Sequence, residues 1–423
     1  MIPKKVYVIG CETLSSLGFG EKQLVDAFIS NKSGVRPIAQ FDAKGLAQQN
    51  AAEVKVDLTE LIQNQNEEWY EASKNDRKLE LWVALITQFE NYLKELLEPI
   101  DLDRISLTMG LGANAFPLQN VALQIHQTDH RSIHQTVQKL NFRNSFGANA
   151  IFNHSDVYAH YFSCKIKQIN SYRTILTACS SSIQAIANGA SQIMSGQVDL
   201  AIVGGTDSIL NQFAYIAFGK LGVLTEQTCM PFDINRSGAI AGECAGFAVL
   251  ASEEALKKLN RSSDFELVGF GNSLDAYKIT APDPTGAGVE LAMKRAVQMA
   301  KISPLEINYI NAHGTGTRSN DEVELRAIER LIGDFSNDVY VSSTKDRHGH
   351  CIAAAGILEF HVLLTSMKNE FIPANRNLIK PILTPLKLPT ESEKINQKIK
   401  IGMTNNFAFG GVNSSLILKN NRV

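Results

Sequence analysis

Thr174-Ile175-Leu176-Thr177-Ala178-Cys179-Ser180-Ser181-Ser182 reads as an apolar strand that stops at a cysteine and turns at once into a helix. The helix places Ile183, Ile186, Ala187, Ala190, Ile193 and Met194 on one face and ends at Gly196. Strand, tight turn and helix in succession mark an α/β fold. Further short apolar runs close on glycine at Val6–Gly10, Ile105–Gly110, Leu200–Gly205, Leu267–Gly271 and Ile307 to Gly314. Runs of this length between helical patterns are expected to be buried strands. One intervening helix is expected over Leu79 to Leu97, where Trp82, Leu85, Ile86, Phe89, Leu93, Leu96 and Leu97 keep a 3–4 spacing. The polar tract from Ile62 to Glu68 reads as a surface loop, and no low-complexity linker divides the chain. A faint echo runs through it. Val6–Ile9 opens a stretch reaching Thr177-Ala178-Cys179, and Leu267–Phe270 opens one reaching Ser343-Thr344-Lys345. A duplication is one reading of that echo.

The 423 residues suffice for two ordinary domains or one large pseudo-symmetric unit. With 44% hydrophobic and 20% charged residues, wholesale disorder and collagen-like repeats are excluded. Forty-one Lys and Arg against 43 Asp and Glu leave a net charge of −2. Such a chain has no global field for nucleic acid or an anionic membrane, so an anionic partner must meet a local patch. The cysteines, at 11, 164, 179, 229, 244 and 351, form no CxxC pair, as expected of thiols kept reduced in a cytosol. The N-terminus lacks the apolar stretch of a secretory signal, and no run of about 18 apolar residues could span a bilayer. The expectation is a soluble, cytoplasmic protein.

Four segments carry candidate chemistry. Cys179 sits where a helix begins, facing unpaired backbone N–H groups and the positive dipole end, a setting that favours the thiolate. The competing reading is a small buried packing residue. Asn311-Ala312-His313-Gly314-Thr315-Gly316-Thr317 follows the Ile307–Ile310 strand, placing a histidine at the strand tip with glycines for close approach and hydroxyls beside it. It lacks phosphate-loop spacing. Ser342-Ser343-Thr344-Lys345-Asp346-Arg347-His348-Gly349-His350 leads into Ala353-Ala354-Ala355-Gly356 and Glu359, small residues that allow a helix to pack beneath a site. A solvated charged turn is the alternative there. Asn405-Asn406-Phe407-Ala408-Phe409-Gly410-Gly411-Val412-Asn413 places two aromatics beside a flexible Gly-Gly turn, which also suits a plain hairpin.

Taken together these segments resemble the elongating β-ketoacyl-[acyl-carrier-protein] synthases of the thiolase-like superfamily. That class carries TAC(S/T)S, HGT(G/S)T, STK…GH and NxFxFGG(T/V)N, and all four occur here in order. Pro231-Phe232-Asp233 to Gly246 and Asp275-Ala276-Tyr277 to Pro282 extend the similarity to essentially the whole chain. The resemblance implies an α/β thiolase-like fold of two similar halves, residues 1–258 and 259–423, with five-stranded mixed sheets in αβαβα layers. It implies a decarboxylative Claisen condensation. Cys179 carries the acyl group, and the backbone N–H groups of Cys179 and Phe409 form the oxyanion hole. Neutral His313 and His350 donate to the malonyl thioester carbonyl, Lys345 orders their surroundings, and Glu359 and Glu324 are structural partners. Thr315 and Thr317 hold the pantetheine arm, while Phe407 and Phe409 gate the channel. His350, where initiating relatives carry asparagine, favours elongation. The partner is an acyl carrier protein supplying the phosphopantetheine arm, with no other cofactor and no metal. A homodimer is implied, and a heterodimer with a ketosynthase-like subunit is compatible.

Lys74, Arg77 and Lys78, opening the Leu79 helix, correspond to the family's patch for the acidic carrier protein; an ordinary solvated helix start is the alternative. His126, His130 and His134 have i, i+4, i+8 spacing, which better suits a solvated face than a metal site, and His348 is expected at the surface. Met230 replaces a usual arginine, residues Asn141 to Phe162 lack the customary SPFFVP-like stretch, and Ala113 stands where housekeeping enzymes place a bulkier pocket residue. These departures point to a specialised fatty-acid, polyketide or polyene pathway. The main alternative is an idle chain-length-factor type subunit, against which Cys179, His313, Lys345 and His350 all count. A thiolase would need a second catalytic cysteine after Cys351, and none follows.

Overall fold

The computed structural model describes residues 3–63, 65, 69–70, 72–73, 76–112, 155–333 and 339–423. Ten strands form its backbone. The first five are β1 (Tyr7–Ser15), β2 (Ile105–Leu111), β3 (Ser171–Ile175), β4 (Leu200–Ser208) and β5 (Glu243–Ala251). The second five are β6 (Phe265–Leu274), β7 (Tyr309–Asn311), β8 (Tyr340–Ser342), β9 (Ile401–Phe407) and β10 (Val412–Asn420). Every residue of β2, β4, β5 and β9 is buried, as the continuous apolar runs require of strands covered on both faces.

The strands lie in the order β8-β7-β9-β10-β6-β1-β5-β4-β2-β3. Within each set of five the order is third, second, fourth, fifth, first. The second strand of each set pairs parallel with the third and fourth, and the remaining pairs are antiparallel. The faint echo in the sequence is therefore a repeated topology. One detail differs from expectation: the two five-stranded sheets are joined where Tyr7 pairs with Glu266 and Leu267 N–H donates to the Val6 carbonyl at 2.9 Å.

Helices α1 (Arg77–Gln88), α2 (Glu90–Leu97), α3 (Ser181–Met194), α4 (Gln212–Lys220), α5 (Ala287–Ala300), α6 (Arg318–Ile332) and α7 (Ala355–Asn369) complete the layers. α3 and α7 pack on each other between the two halves of the sheet; α1 covers β4 and β5 from outside, and α5 covers β6 and β10. The single helix expected over 79–97 is broken at Phe89, which leaves helical geometry (φ −107°, ψ 17°) and sets its ring edge-on to Phe247.

Two glycines bring the central helices onto the site. A Cβ on Gly110 would stand 2.3 Å from the Ser182 nitrogen, and one on Gly356 would stand 2.6 Å from the Ile183 nitrogen. Only a bare backbone lets β2 and α7 reach the start of α3 from two sides. No helix among the described residues is long and apolar enough to cross a membrane.

Candidate active site

β3 ends just before Cys179, and Ala178 adopts a left-handed φ of +48° to turn the chain into α3. That sharp reversal aims the Cys179 side chain into a cleft lined also by Phe218, His313, Thr315, Thr317, His350, Phe407 and Phe409. The four sequence segments, far apart in the chain, thus meet in one cavity.

His350 Nε2 stands 3.2 Å from Cys179 Sγ. The rings of His350 and His313 meet edge to face, 5.2 Å between centroids, and the Phe407 ring lies 5.9 Å from His313. His313 is held by its backbone: its N–H and that of Gly314 donate to the two oxygens of Glu324, each at 2.8 Å. Burial pushes Glu324 up to about 7. Lys345, wholly buried, donates to Glu359 Oε1 and the His313 carbonyl, and its Nζ is 3.4 Å from His313 Nδ1. Burial, then the Lys345 charge, then the neighbouring histidine hold His313 and His350 well below the ordinary histidine range. Both are neutral at physiological pH.

Cys179 corrects the expected thiolate. Only 5% exposed, its thiol is pushed up to about 12 by burial, which outweighs the lowering by Lys345 and by the backbone N–H groups of Phe409 and Cys179. Helix-start dipoles lower a thiol pKa where solvent shares in stabilising the charge; here none does. The backbone N–H groups of Phe409 and Cys179 nevertheless both face the sulfur. Phe409 stacks on Phe218 at 6.3 Å, on a turn where Gly410 and Gly411 have φ of +81° and +75°. Thr315 and Thr317 share a hydroxyl contact of 2.9 Å at the cleft wall.

Other expectations change. Arg77 does not face a partner: its guanidinium forks onto buried Glu243, with contacts of 2.6 and 3.1 Å, and also reaches Glu80. Lys78 is buried too, because α1 lies against β4 and β5. An exposed carrier-docking patch is thus not formed by these two. His348 is buried rather than at the surface, its ring between the Thr344 hydroxyl and the Gly349 carbonyl, both at 2.8 Å. Lys74, Ala113, His126, His130 and His134 lie outside the described residues.

Two residues of the site escaped sequence reading. Asp207, closing β4 after Gly204-Gly205-Thr206, accepts from Ala353 N–H at 3.0 Å and so ties the small-residue run to the strand. Asn406 was visible inside its motif, yet only tertiary contact shows its amide 2.6 Å from Glu359 Oε2.

The chain matches a known family over most of its length. The family description "Beta-ketoacyl synthase, N-terminal domain" matches residues 3–255, and "Beta-ketoacyl synthase, C-terminal domain" matches residues 265–379. The chain is 30% identical to a 3-oxoacyl-[acyl-carrier-protein] synthase 2 of Coxiella burnetii, with 99% of each chain covered. Among solved structures it superposes on "The ishigamide ketosynthase/chain length factor" with a TM-score of 0.84, 25% identity and 99% of both chains. A ketosynthase in complex with its chain length factor from Xenorhabdus doucetiae gives a TM-score of 0.78, 28% identity and 98% of both chains. This protein belongs to the β-ketoacyl synthase family, with the thiolase-like α/β fold of its relatives.

Proposed function

We propose that the protein is a 3-oxoacyl-[acyl-carrier-protein] synthase that condenses a Cys179-bound acyl chain with malonyl-carrier protein. The observation that carries this reading is the 3.2 Å contact between His350 Nε2 and Cys179 Sγ, with neutral His313 edge-on in the same cleft. Cys179 sulfur attacks the acyl thioester, the pantetheine sulfur leaves, and the Cys179 proton ends on it. The tetrahedral oxygen sits between the N–H groups of Cys179 and Phe409, the two that face the sulfur in the resting state. In the second half, the malonyl carboxylate leaves as CO₂ and its electron pair becomes the enolate, whose oxygen takes hydrogen bonds from His313 and His350. The enolate carbon attacks the acyl carbonyl, and the C–S bond breaks with its electron pair on the Cys179 sulfur, which takes a proton from solvent to restore the thiol as the 3-oxoacyl chain leaves on the carrier protein. No proton is abstracted from malonyl, so two neutral donors serve better than a base.

Thr315 and Thr317 line the path of the pantetheine arm, and Phe407 and Phe409 close it. The arm is the only prosthetic group the scheme needs. It arrives on the carrier protein that gives the Coxiella relative its name. Ala113, with Met230, remains our basis for a specialised chain, and Ala113→Ile is expected to shorten the acyl group accepted. Two solved relatives described with chain length factors support a ketosynthase-like partner subunit as the alternative to a homodimer. A cytoplasmic setting and a division near residue 258 belong to the same reading.

The test is intact-protein mass spectrometry after incubation with acyl-carrier protein. Wild type should gain the acyl mass and Cys179→Ala should not. No adduct on wild type, or one retained by the variant, overturns the mechanism.

A further inference from the structure

Lys345 has three donor hydrogens, and three acceptors surround its Nζ: Glu359 Oε1, the His313 carbonyl and, at 3.4 Å, His313 Nδ1. Glu359 has a second oxygen, buried and within the same cluster. Left free, a carboxylate oxygen beside an imidazole would draw the ring proton to itself and reverse the tautomer the reaction requires. Asn406 occupies that oxygen. Its Nδ2 donates to Glu359 Oε2 at 2.6 Å and lies 3.5 Å from His313 Nδ1.

The orientation of the amide is determined by its surroundings. Turning it over would set Oδ1 against the Glu359 carboxylate, oxygen to oxygen. As it stands, Oδ1 has no hydrogen-bond partner among the described residues and packs toward Gly356, where a Cβ would come within 3.0 Å of it. A buried amide that leaves its oxygen unpaired does so at a cost, and what it secures is the placement of its donors. Two donors, Lys345 Nζ and Asn406 Nδ2, therefore face His313 Nδ1.

We infer that Asn406 is a positioning residue for His313: by occupying Glu359 Oε2 and presenting an N–H to Nδ1, it holds His313 as the Nε2–H tautomer that donates to the enolate. The inference rests on the proposed condensation for its catalytic consequence, but the tautomer itself is independent of it. Asn406 touches no substrate. Cys179 acylation, which needs no donor from His313, should be indifferent to it.

Three variants separate these roles. Asn406→Asp places an acceptor at Nδ1, Asn406→Ala removes the donor, and Asn406→Gln can restore it. With 15N-labelled histidine in the full-length protein, the His313 spectrum, assigned against His313→Gln, should show a bare Nδ1 in wild type and a protonated Nδ1 in Asn406→Asp. Malonyl-carrier protein decarboxylation should fall roughly 10²-fold in Asn406→Asp and about 10-fold in Asn406→Ala, the losses expected when a transition-state donor is misplaced. Acylation of Cys179 by acyl-carrier protein should change by less than about threefold, within the scatter of a residue outside that step. Asn406→Asp should also acquire a decarboxylation rate that falls as pH rises, because the new carboxylate favours a protonated His313, whose Nε2–H is lost when the ring deprotonates to the Nδ1–H tautomer. Asn406→Gln should recover part of the rate. An unchanged His313 spectrum in both Asn406→Asp and Asn406→Ala overturns the inference, and so do equal losses of acylation and decarboxylation. If wild type decarboxylates nothing, the proposed function fails, while the 15N spectra still decide the tautomer.

Discussion

Arg77 and Glu243, 166 residues apart, form a forked ion pair, Nη2 to Oε1 at 2.6 Å and Nε to Oε2 at 3.1 Å, that fastens the start of α1 to the first residue of β5. Glu243 is fully buried and also accepts from the Val54 N–H and the Ser208 hydroxyl, each at 2.8 Å. A basic residue at a helix start, read from sequence as a docking group, is here a structural clamp. Arg77→Ala leaves a buried carboxylate without its cation and should cost about 3 kcal/mol of stability. Urea unfolding measures the loss. The KM for carrier-bound substrates should stay unchanged at a temperature where the variant is folded, and a raised KM with wild-type stability would restore the docking role.

Lys345 and Glu359 are buried as a pair, so removing one charge should be worse for folding than removing both. Lys345→Met should lower stability by about 3 kcal/mol, whereas the double variant Lys345→Met/Glu359→Leu should recover most of it. Decarboxylation should be absent from both. Denaturant midpoints with a malonyl-carrier protein assay give the comparison, and a double variant no more stable than the single would contradict it.

The buried thiol gives alkylation kinetics an unusual pH dependence. Because the folded pKa of Cys179 is raised to about 12 from an ordinary 9, the thiolate fraction still grows through pH 7 to 10. Iodoacetamide inactivation should climb about tenfold per pH unit across that range, as for any thiol far below its pKa. A plateau near neutrality would mean a resting thiolate.

His348 and His361 are both held at about 3 by burial, so the folded protein refuses protons that the unfolded chain takes up near 6.5. The unfolded state binds more protons in that window, and stability therefore rises with pH there. The melting temperature should fall progressively as pH drops from 6.5 toward 3. His361→Gln should flatten that slope, measured by differential scanning calorimetry at matched ionic strength.

Gly410 and Gly411 should differ in tolerance despite sharing a left-handed φ. A Cβ on Gly410 meets nothing within 4 Å, but one on Gly411 would stand 2.8 Å from the Asp275 Cβ. Gly410→Ala should cost only the backbone penalty of about 1 kcal/mol. Gly411→Ala must in addition push the Phe409 turn off the Asp275 loop, and should slow Cys179 acylation, read by mass spectrometry against time. Equal behaviour of the two variants would show that the Asp275 contact does not matter.

Much of the site was readable residue by residue, because chemistry at a strand tip or helix start leaves local marks. Cys179 before a serine turn, His313 at a strand tip ahead of Gly314 and Gly316, and the Gly410-Gly411 turn are recognisable from their neighbours. The strands were readable for a similar reason: burial on both faces demands unbroken apolar runs, so β2 and β4 announced themselves. The break at Phe89 did not, since the 3–4 spacing continues through it and only the Phe247 ring explains the turn.

Charge is where sequence reading failed, and the cause is physical. Whether Arg77 faces solvent or Glu243, whether His348 is wet or buried, and whether Cys179 is thiol or thiolate all depend on which distant groups exclude water. Motif and spacing set which residue types were available to a condensing site. Tertiary packing alone decided their protonation states and partners, because desolvation is a property of everything that surrounds a group and no stretch of chain carries it by itself.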